Sequence, residues 1–509
     1  MSIIKILLAD TVSVTLILLC ATVLCIMLFF KNSTKSSIYK FPPGPSPWPF
    51  IGNLNLLNMR CPQETMCKLG EQYGDVYTFH MGREKYVVLT GYEAVKEALV
   101  TQADDFGERG QTKTIKHNFN GKGIVFGVGE SWKTMRRFTL STLRDFGMGR
   151  STIEDRIVDE AERLYEVFKQ HQGKPHPHRK AFNPTVSINS AVSNIICILV
   201  FGDRFQYDDP QFLRLQTIVN ENIRLATTPM TQLYNASIVP MFLVKDIQRS
   251  LQNIKENQTF FKKVYKQRKA EHDSNDVRCF IDSFIARQKE EERKNLRTYF
   301  DEENMVLSSG NLFAAGTETT STTLRWGLLL MIKHPDIQKK VQAEIESVIG
   351  RERSPRVDDR KNMPYTDAVV HEIQRFGNVI PNNLLHETKV DTTFRGYHIP
   401  KGTPVIPLLS SVLYDKTQWE TPEKFNPGHF LDANGRFIKK EAFMPFSAGR
   451  RVCVGETLAK MELFLFFSTL LQKFTFKPPP GVRAEDMSLS PSPGLTSSPA
   501  PYELCAISH

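Results

Sequence analysis

The sequence has few cysteines, and none of them form pairs at the spacing of metal ligands. Its eight cysteines are scattered over 509 residues, which argues against a disulfide framework, a zinc finger and a four-thiolate cluster. The pattern favours a reduced fold that faces the cytosol, in which any cysteine chemistry depends on one residue. The chain also lacks a G-x-G-x-x-G loop after a predicted strand and a fused flavin segment, so electrons for a redox reaction would come from another protein.

Neither the charge nor the apolar content is unusual. Charged residues make up 24% and hydrophobic residues 41% of the chain, which excludes a disordered chain and a polytopic membrane protein for the body of the sequence. The net charge of +10 suits nucleic acid, anionic lipid or an acidic protein, and it does not choose among them. Length alone suggests three domains, but no internal repeat or second proline-rich linker follows Ile51, so we expect one large domain.

One uncharged hydrophobic run lies near the N-terminus. Residues 11–30 carry no charge and have the length that a helix needs to cross a bilayer. A cleaved secretory peptide is the alternative, but the run exceeds a usual signal-peptide core and no small-residue cleavage site precedes Lys31. Because Lys31, Lys35 and Lys40 follow the run, the positive-inside rule places the body of the protein in the cytosol.

These features divide the chain into four predicted parts. Residues 1–10 are expected to be a lumenal N-terminus, 11–30 a transmembrane anchor, 31–50 a basic, proline-rich hinge, and 51–509 a cytosolic catalytic domain. The hinge is expected to be stiff and extended, because its prolines fix the backbone and remove hydrogen-bond donors.

Most of the remaining segments have helical spacing of their apolar residues. The predicted helices span 151–171, 184–200, 210–225, 246–270, 301–334, 334–349, 366–376 and 456–473. The predicted strands span 76–80, 86–90, 397–407 and 474–477. The fold class is therefore expected to be mainly α with a minor β part. The charged runs 267–276 and 287–297 are expected to be solvated connections.

The segment 446–455 holds a single thiol, Cys453, just before a predicted helix. Free backbone N–H groups and the helix dipole at that position predict a lowered thiol pKa. Arg451 adds a cation that can bind a carboxylate. A buried, inert cysteine is the alternative, but the surrounding glycines, arginine and phenylalanine favour a functional site.

A second unusual segment, 311–323, reads NLFAAGTETTSTT within a predicted helix. Glycine and clustered β-branched hydroxyl residues each cost helix stability, so their concentration predicts a functional distortion, with a local opening at Ala315 and Gly316. Glu318 and Thr319 place an acid and an alcohol side by side. A kinked helix with satisfied hydroxyls is the alternative.

Both segments resemble one family. Segment 446–455 matches every fixed position of F-x-x-G-x-R-x-C-x-G, the haem-binding loop of the cytochrome P450 haem-thiolate monooxygenases, and 315–320 matches their [AG]-G-x-[DE]-T-[TS] motif. The resemblance spans essentially the whole chain and is closest to microsomal, family-two members that act on lipophilic compounds. It implies the cytochrome P450 fold, in which a large helical domain surrounds haem b beside a small β-rich part.

The resemblance also implies roles for residues of the two motifs. Cys453 would be the metal ligand, with Phe446 and Gly455 contributing to cofactor binding in the same loop. Thr319 would steady the activated oxygen species, and Glu318 would relay protons to it through water.

Four further residues would bind the haem propionates by the same resemblance. Trp132 and Arg136 form the W-x-x-x-R pair of the family, while Arg451 and His386 fall where the same task is done elsewhere in the chain. From the residues alone, Trp132 is equally well a core aromatic, and His386 an ordinary loop histidine.

A family E-x-x-R pair is represented by Glu372 and Arg375, which lie three residues apart on one helix face. Taken alone, such a pair is most often a solvated contact of small energy. The resemblance implies a buried pair joined by a third residue from 425–430, where His429 stands in place of the more common arginine. We expect this third contact to be weaker or pH-sensitive.

The resemblance implies several partners. They are NADPH–cytochrome P450 reductase, cytochrome b5 as an additional electron donor, a small lipophilic substrate, O2 and membrane lipid of the endoplasmic reticulum, with no nucleic acid. A basic face of Lys133, Arg136, Arg137, Arg144 and Arg450 is expected to dock the reductase, and apolar 236–244 to dip into the membrane.

The segments expected to line the substrate pocket are 116–126, 225–241, 312–319, 379–385 and 494–498. Two other functions stay open: a haem-thiolate isomerase or dehydratase, which needs no reductase, and a haem sensor, which needs only the ligand loop.

Overall fold

The computed structural model of the chain describes residues 14–24, 40–149, 151–171, 181–271, 273, 276–295 and 298–509. Residues 14–24 are helical. Within the described ranges, no helix has both the length and the apolar character needed to cross a bilayer. The other residues of the predicted anchor and the first part of the hinge, 31–39, lie outside the described residues.

The fold is mainly α with a small β part, as predicted. The helices are α1 (Pro62–Tyr73), α2 (Tyr92–Lys96), α3 (Lys113–Phe119), α4 (Gly129–Asp145), α5 (Ser151–Gln170), α6 (Thr185–Phe201), α7 (Pro210–Leu225), α8 (Pro229–Asn235), α9 (Lys245–Glu271), α10 (Phe280–Arg293), α11 (Glu302–Lys333), α12 (Pro335–Val348), α13 (Pro364–Gly377), α14 (Leu409–Leu413) and α15 (Glu456–Lys473). A π-helix, Glu97–Thr101, continues α2.

The strands are short. They are β1 (Val76–Met81), β2 (Glu84–Leu89), β3 (Glu108–Arg109), β4 (His386–Glu387), β5 (Thr392–Phe394), β6 (Tyr397–Ile399), β7 (Pro404–Pro407), β8 (Phe474–Lys477), β9 (Pro491–Ser492), β10 (Ser498–Pro499) and β11 (Cys505–Ser508). The main sheet has the order β1-β2-β7-β4-β3, in which β2 and β7 are parallel. Antiparallel pairing of β3 with β4 sets Arg109 opposite His386.

The eight predicted helices begin and end within two residues of the observed bounds. Local signals explain this accuracy. For α7, Pro210 occupies the first turn and the Asp209 side chain accepts hydrogen bonds from the backbone N–H groups of Gln211 and Phe212, which is the preferred chemistry of a helix start.

The prediction that the two charged runs are connections is wrong for residues 267–271 and 287–293, which are helical. Helix α9 extends to Glu271, and α10 covers the first part of the 287–297 run. The physical reason lies just upstream, where Phe280 and Phe284 are fully buried one turn apart and hold α10 against the core. The charges at the other end of the helix pair locally, as Arg287 does with Glu291 at 3.0 Å.

Helix α11 passes through the centre of the molecule and most of its residues are buried. At Gly316 it lies so close to α6 that an added Cβ would come within 2.4 Å of the Ile196 side chain. The helix is continuous across Ala315 and Gly316 in the described structure, so the predicted opening is not a break in the backbone. Ala315 and Gly316 line a cavity, and the predicted distortion of the helix stays a prediction.

Candidate active site

A cavity of about 500 Å³ lies between α11 and the loop that precedes α15. Side chains from all five predicted lining segments reach it, including Phe119, Ala226, Leu312, Val379 and Leu495. Most of the lining is apolar, so the cavity suits a lipophilic ligand.

Cys453 faces this cavity from the loop before α15. Its backbone N–H donates to the Phe446 carbonyl at 3.0 Å, which closes the loop. Gly449 has φ +70, and a Cβ there would lie 1.7 Å from the Leu99 carbonyl oxygen, so the close approach of the two backbones requires glycine. Phe446 and Gly455 line the cavity beside the thiol.

The environment of the thiol differs from the sequence expectation. The Cys453 side chain is open to the cavity. Burial within the protein nevertheless raises the pKa of the thiol. The backbone N–H of Gly455 and the nearby Arg136 lower this pKa, but their effect is smaller. The predicted lowering of the pKa by the helix start is therefore wrong for the protein alone. A coordinated metal ion would remove the thiol proton outright.

The described residues contain no group of three or more histidine, cysteine or acidic side chains that could hold a metal ion. A protein-only metal centre is therefore absent from that part of the chain.

Arg451 stacks on Trp132 at one side of the cavity, with its guanidinium carbon 3.4 Å from the ring centroid. Its Nε and Nη1 donate to the carbonyls of Gly107 and Gly127, both at 2.9 Å. Arg451 Nη2 and Trp132 Nε1 are buried and have no hydrogen-bond partner among the described residues. The nearest carboxylate to Nη2, on Glu108, is 3.5 Å away.

Arg136 and Arg109 add two more buried or half-buried cations. Arg136 Nη2 donates to the Val452 carbonyl at 2.6 Å, so Arg136 points into the site and not onto the predicted docking face. Arg109 donates to the carbonyls of Val125 and Leu384, both at 3.1 Å. Burial, followed by the charge of Arg136, lowers the pKa of Arg109 to about 10.

Arg109 is a site residue that the sequence analysis missed. Arg109 lies in the two-residue strand β3, outside the family motifs recognised in the sequence. Only the register of β3 against β4, which sets Arg109 opposite His386, brings it to the site.

His386 lies within electrostatic range of both Arg109 and Arg451. Burial, with the charge of Arg109 as the next cause, lowers its pKa to about 3. Its Nδ1 is 2.8 Å from the Phe106 carbonyl, to which it donates, and its Nε2 has no partner within the described structure.

These groups fit the carboxylates of a haem. Burial, with the charge of Arg109 as the next cause, lowers the pKa of Arg451 to about 8, and the nearby Glu108 offsets this effect only in part. Unpartnered buried N–H groups and unpaired cations are costly unless a ligand satisfies them. The Trp132, Arg136, Arg451 and Arg109 side chains line the same cavity as Cys453, so one molecule can reach both the thiol and the cations.

Thr319 and Glu318 line the cavity on α11, but their side chains have different environments. The Thr319 hydroxyl donates to the Ala315 carbonyl at 2.8 Å, as a threonine in a helix can. The Glu318 carboxylate is buried, and its Oε1 accepts hydrogen bonds from Thr322 and from the distant Thr496 and Ser498.

Glu372 and Arg375 form a fully buried bidentate pair, with N–O distances of 2.8 and 2.7 Å. His429 supplies the third contact, because its Nδ1 lies 3.2 Å from Glu372 Oε2. His429 Nε2 lies 3.0 Å from the Thr421 hydroxyl oxygen and 3.2 Å from the Thr421 backbone nitrogen. The predicted weakness or pH sensitivity of the contact with Glu372 stays a prediction.

Comparison with known proteins gives a consistent picture. The sequence model of the family described as cytochrome P450 matches residues 42–506. Cytochrome P450 2K1 of Oncorhynchus mykiss is 48% identical over 513 residues, which cover 100% of both chains. Cytochrome P450 2G1 of Oryctolagus cuniculus is 45% identical over 493 residues, 96% of this chain and 97% of the other. Cytochrome P450 2C23 of Rattus norvegicus is 44% identical over 496 residues, 97% and 98% of the two chains.

Proposed function

The chain belongs to the cytochrome P450 family of haem monooxygenases, and from that premise we propose that it is a membrane-anchored enzyme that inserts one oxygen atom from O2 into lipophilic compounds. Each turnover converts a C–H bond to C–OH and forms one water, and it consumes two electrons and two protons. We propose that the electrons come from NADPH through a flavoprotein reductase, with foreign lipophiles, fatty acids or other lipids as substrates.

The cofactor of this family is haem. We propose that Cys453 ligates its iron, that Trp132, Arg136, Arg451 and His386 bind its propionates together with Arg109, and that Phe446 and Gly455 flank it. When bound, the haem supplies the redox chemistry that activates O2, and a thiolate ligand favours cleavage of the O–O bond.

We propose that the residues of α11 in the cavity wall deliver protons for the reaction. Thr319 is one of the polar residues of α11 that line the cavity, and its hydroxyl can turn from the Ala315 carbonyl, to which it donates, toward a bound ligand. Glu318, the next residue toward the N-terminus, can pass protons to it through water. The surrounding side chains are mostly apolar, so a hydroxyl and a carboxylate beside each other are well placed to carry protons.

The single observation that carries the proposal is the thiol of Cys453 facing an apolar cavity whose rim holds buried or half-buried arginines, of which Arg451 has an Nη2 without a hydrogen-bond partner among the described residues. The test is spectroscopic. The purified protein, reduced under carbon monoxide, should show the red-shifted absorption band of a haem-thiolate, and Cys453→Ala should lose it. Absence of the band in the parent protein, or its persistence in the variant, would overturn the assignment.

We propose that the reductase docks on a basic surface near the Cys453 loop. Arg137 and Arg144 are exposed on α4, and Arg450 is exposed in the loop, where it pairs with Asp104. An acidic partner would be drawn to this face by charge. Reduction by the reductase should therefore slow steeply as salt rises, whereas salt-independent reduction would contradict this docking site. Cytochrome b5, as a second acidic donor, would compete for it.

We propose that the enzyme lies on the cytosolic face of the endoplasmic reticulum membrane. Phe242 and Leu243 are 74% and 58% exposed in the 3₁₀ turn Met241–Leu243. Exposed apolar side chains on a surface turn of this kind can insert into the acyl region of a bilayer. Contact there would open the cavity toward lipid, where lipophilic substrates are concentrated.

A further inference from the structure

One carboxylate oxygen in the cavity wall accepts three hydroxyl hydrogen bonds. Glu318 Oε1 accepts from Thr322 Oγ1 at 3.0 Å, from Thr496 Oγ1 at 3.1 Å and from Ser498 Oγ at 3.0 Å. Its Oε2 is buried and has no hydrogen-bond partner among the described residues. The two oxygens are therefore unequal, because three hydroxyl groups fix one and no described group bonds to the other.

An arginine orients part of this arrangement. Arg325 Nη2 donates to Thr322 Oγ1 at 2.6 Å, which leaves the Thr322 hydroxyl proton to point at Glu318. The same nitrogen is 3.6 Å from Glu318 Oε1. In a buried site, hydrogen bonds of this kind reinforce each other and restrict the carboxylate to one orientation.

Thr496 and Ser498 come from a segment that other contacts hold in place. The backbone N–H of Leu495 donates to Ile223, and that of Ser497 donates to Val379. Trp326 Nε1 on α11 donates to the Ser497 carbonyl at 2.7 Å. The hydroxyl donors are thus positioned independently of Glu318 itself.

The same segment forms part of the cavity wall. Leu495 and Thr496 line the cavity together with Glu318 and Thr319. A compound in the cavity therefore touches the segment whose hydroxyls hold the carboxylate. This is a direct physical link between occupancy of the cavity and the orientation of the acid.

We propose that Thr496 and Ser498 are positioning residues for proton delivery, which hold the Glu318 carboxylate in one orientation in the cavity wall and respond to a bound substrate. This inference rests on the proposed monooxygenase function. In the step itself, a hydronium ion supplied by solvent gives a proton to the Glu318 carboxylate and becomes neutral water. The O–H bond formed on the carboxylate then breaks as the proton passes to the Thr319 hydroxyl oxygen, whose own proton goes to the bound ligand. The carboxylate is regenerated, and nothing is oxidised or reduced.

Ser498→Ala is the most direct test, because it removes one donor and Ser498 is not among the described residues that line the cavity. With reductase, NADPH and a lipophile that shifts the iron spin state, the yield of product per NADPH should fall about three- to tenfold. The solvent isotope effect on kcat should rise while KM is unchanged. Ser498→Thr keeps a hydroxyl and should restore coupling.

The matched control is Ser492→Ala. Ser492 lies opposite Ser498 in the β9–β10 pair, so its substitution alters the same hairpin without removing a donor to Glu318. Thr496→Val provides a second variant, in which loss of coupling should accompany a change in KM because Thr496 lines the cavity. The carbon monoxide band of each variant reports whether its haem site is intact.

Equal coupling and equal isotope effects in Ser498→Ala and the parent enzyme would overturn the inference. Equal losses in Ser498→Ala and Ser498→Thr would also overturn it, because packing rather than the hydroxyl would then be responsible. A parent protein without the carbon monoxide band or without NADPH-dependent product would instead overturn the proposed function, so the two failures are distinguishable.

Discussion

The guanidinium of Arg451 stacks on the indole of Trp132, and each of the two side chains presents a buried N–H that no other described residue accepts. The stacking fixes the direction of both donors. A preorganised pair of donors beside the cations of Arg109 and Arg136 is an anion site formed before the anion binds.

Trp132→Phe should weaken haem retention, because phenylalanine keeps an aromatic surface under Arg451 and loses only the N–H. Loss of one hydrogen bond to a charged group is worth about 1.5–3 kcal/mol. We therefore expect haem to transfer to apomyoglobin about ten- to a hundredfold faster than from the parent. Phe138→Leu, at an aromatic position of α4 packed against Phe280 and Phe284, is the control for general loosening. Unchanged transfer in Trp132→Phe would contradict the assignment of this N–H to a propionate.

Thr319→Ala should separate electron use from product formation. The variant loses the Thr319 hydroxyl but keeps the apolar side chains that line the cavity, so substrate binding should change little. NADPH consumption should continue while product per NADPH falls about tenfold and hydrogen peroxide rises. Thr319→Ser retains the hydroxyl and should retain most of the coupling. Unchanged coupling in Thr319→Ala would remove Thr319 from the proposed proton route.

Glu462→Gln should change the pH dependence of stability. Glu462 is buried on α15, and burial raises the pKa of its carboxyl to about 8. Folding then keeps this group protonated, whereas the unfolded chain ionises it above about 4.5. The contribution of Glu462 to the free energy of unfolding is complete below pH 4.5 and is lost as the pH rises toward 8.

Relative to the parent, Glu462→Gln should therefore gain stability between pH 5 and pH 8, by about 2–4 kcal/mol at the upper end. Thermal unfolding of both proteins at several pH values measures this difference. Glu130→Gln removes an exposed carboxylate paired with Lys133 and should show no such trend. A constant difference between Glu462→Gln and the parent across this range would contradict the prediction.

Gly449→Ala should prevent assembly of the cysteine loop. The new Cβ would lie 1.7 Å from the Leu99 carbonyl oxygen at a residue with positive φ, and a backbone clash cannot be relieved by a rotamer change. We expect the free energy of unfolding to fall by more than about 3 kcal/mol and the variant to bind no haem. Gly481→Ala, also at positive φ but with open space around the Cβ, should cost only about 1–2 kcal/mol. Similar stability of the two variants would show that the clash is relieved by backbone movement.

The sequence predicted the parts of the fold that have local signals. Helix α7 begins at a proline preceded by a capping aspartate, and the Cys453 loop matches a dense motif. Helix α10 was missed because its charged end dominated the pattern, while the buried Phe280 and Phe284 decide its structure.

The site was predicted less completely, for a physical reason. Thr496 and Ser498 reach Glu318 across 178 and 180 residues of sequence, and Arg109 reaches the site through strand pairing. No local pattern encodes such contacts, because tertiary packing alone brings these residues together.

The pairing of β3 with β4 has a consequence for biosynthesis. Arg109 bonds to the Leu384 carbonyl, 275 residues further along the chain, so a nascent polypeptide keeps this cation unsatisfied until three quarters of the protein has been translated. Contacts of such sequence separation form late and slowly. We therefore expect ribosome-bound intermediates that end before His386 to be unable to capture haem, which makes cofactor insertion a late event in the life of the nascent chain.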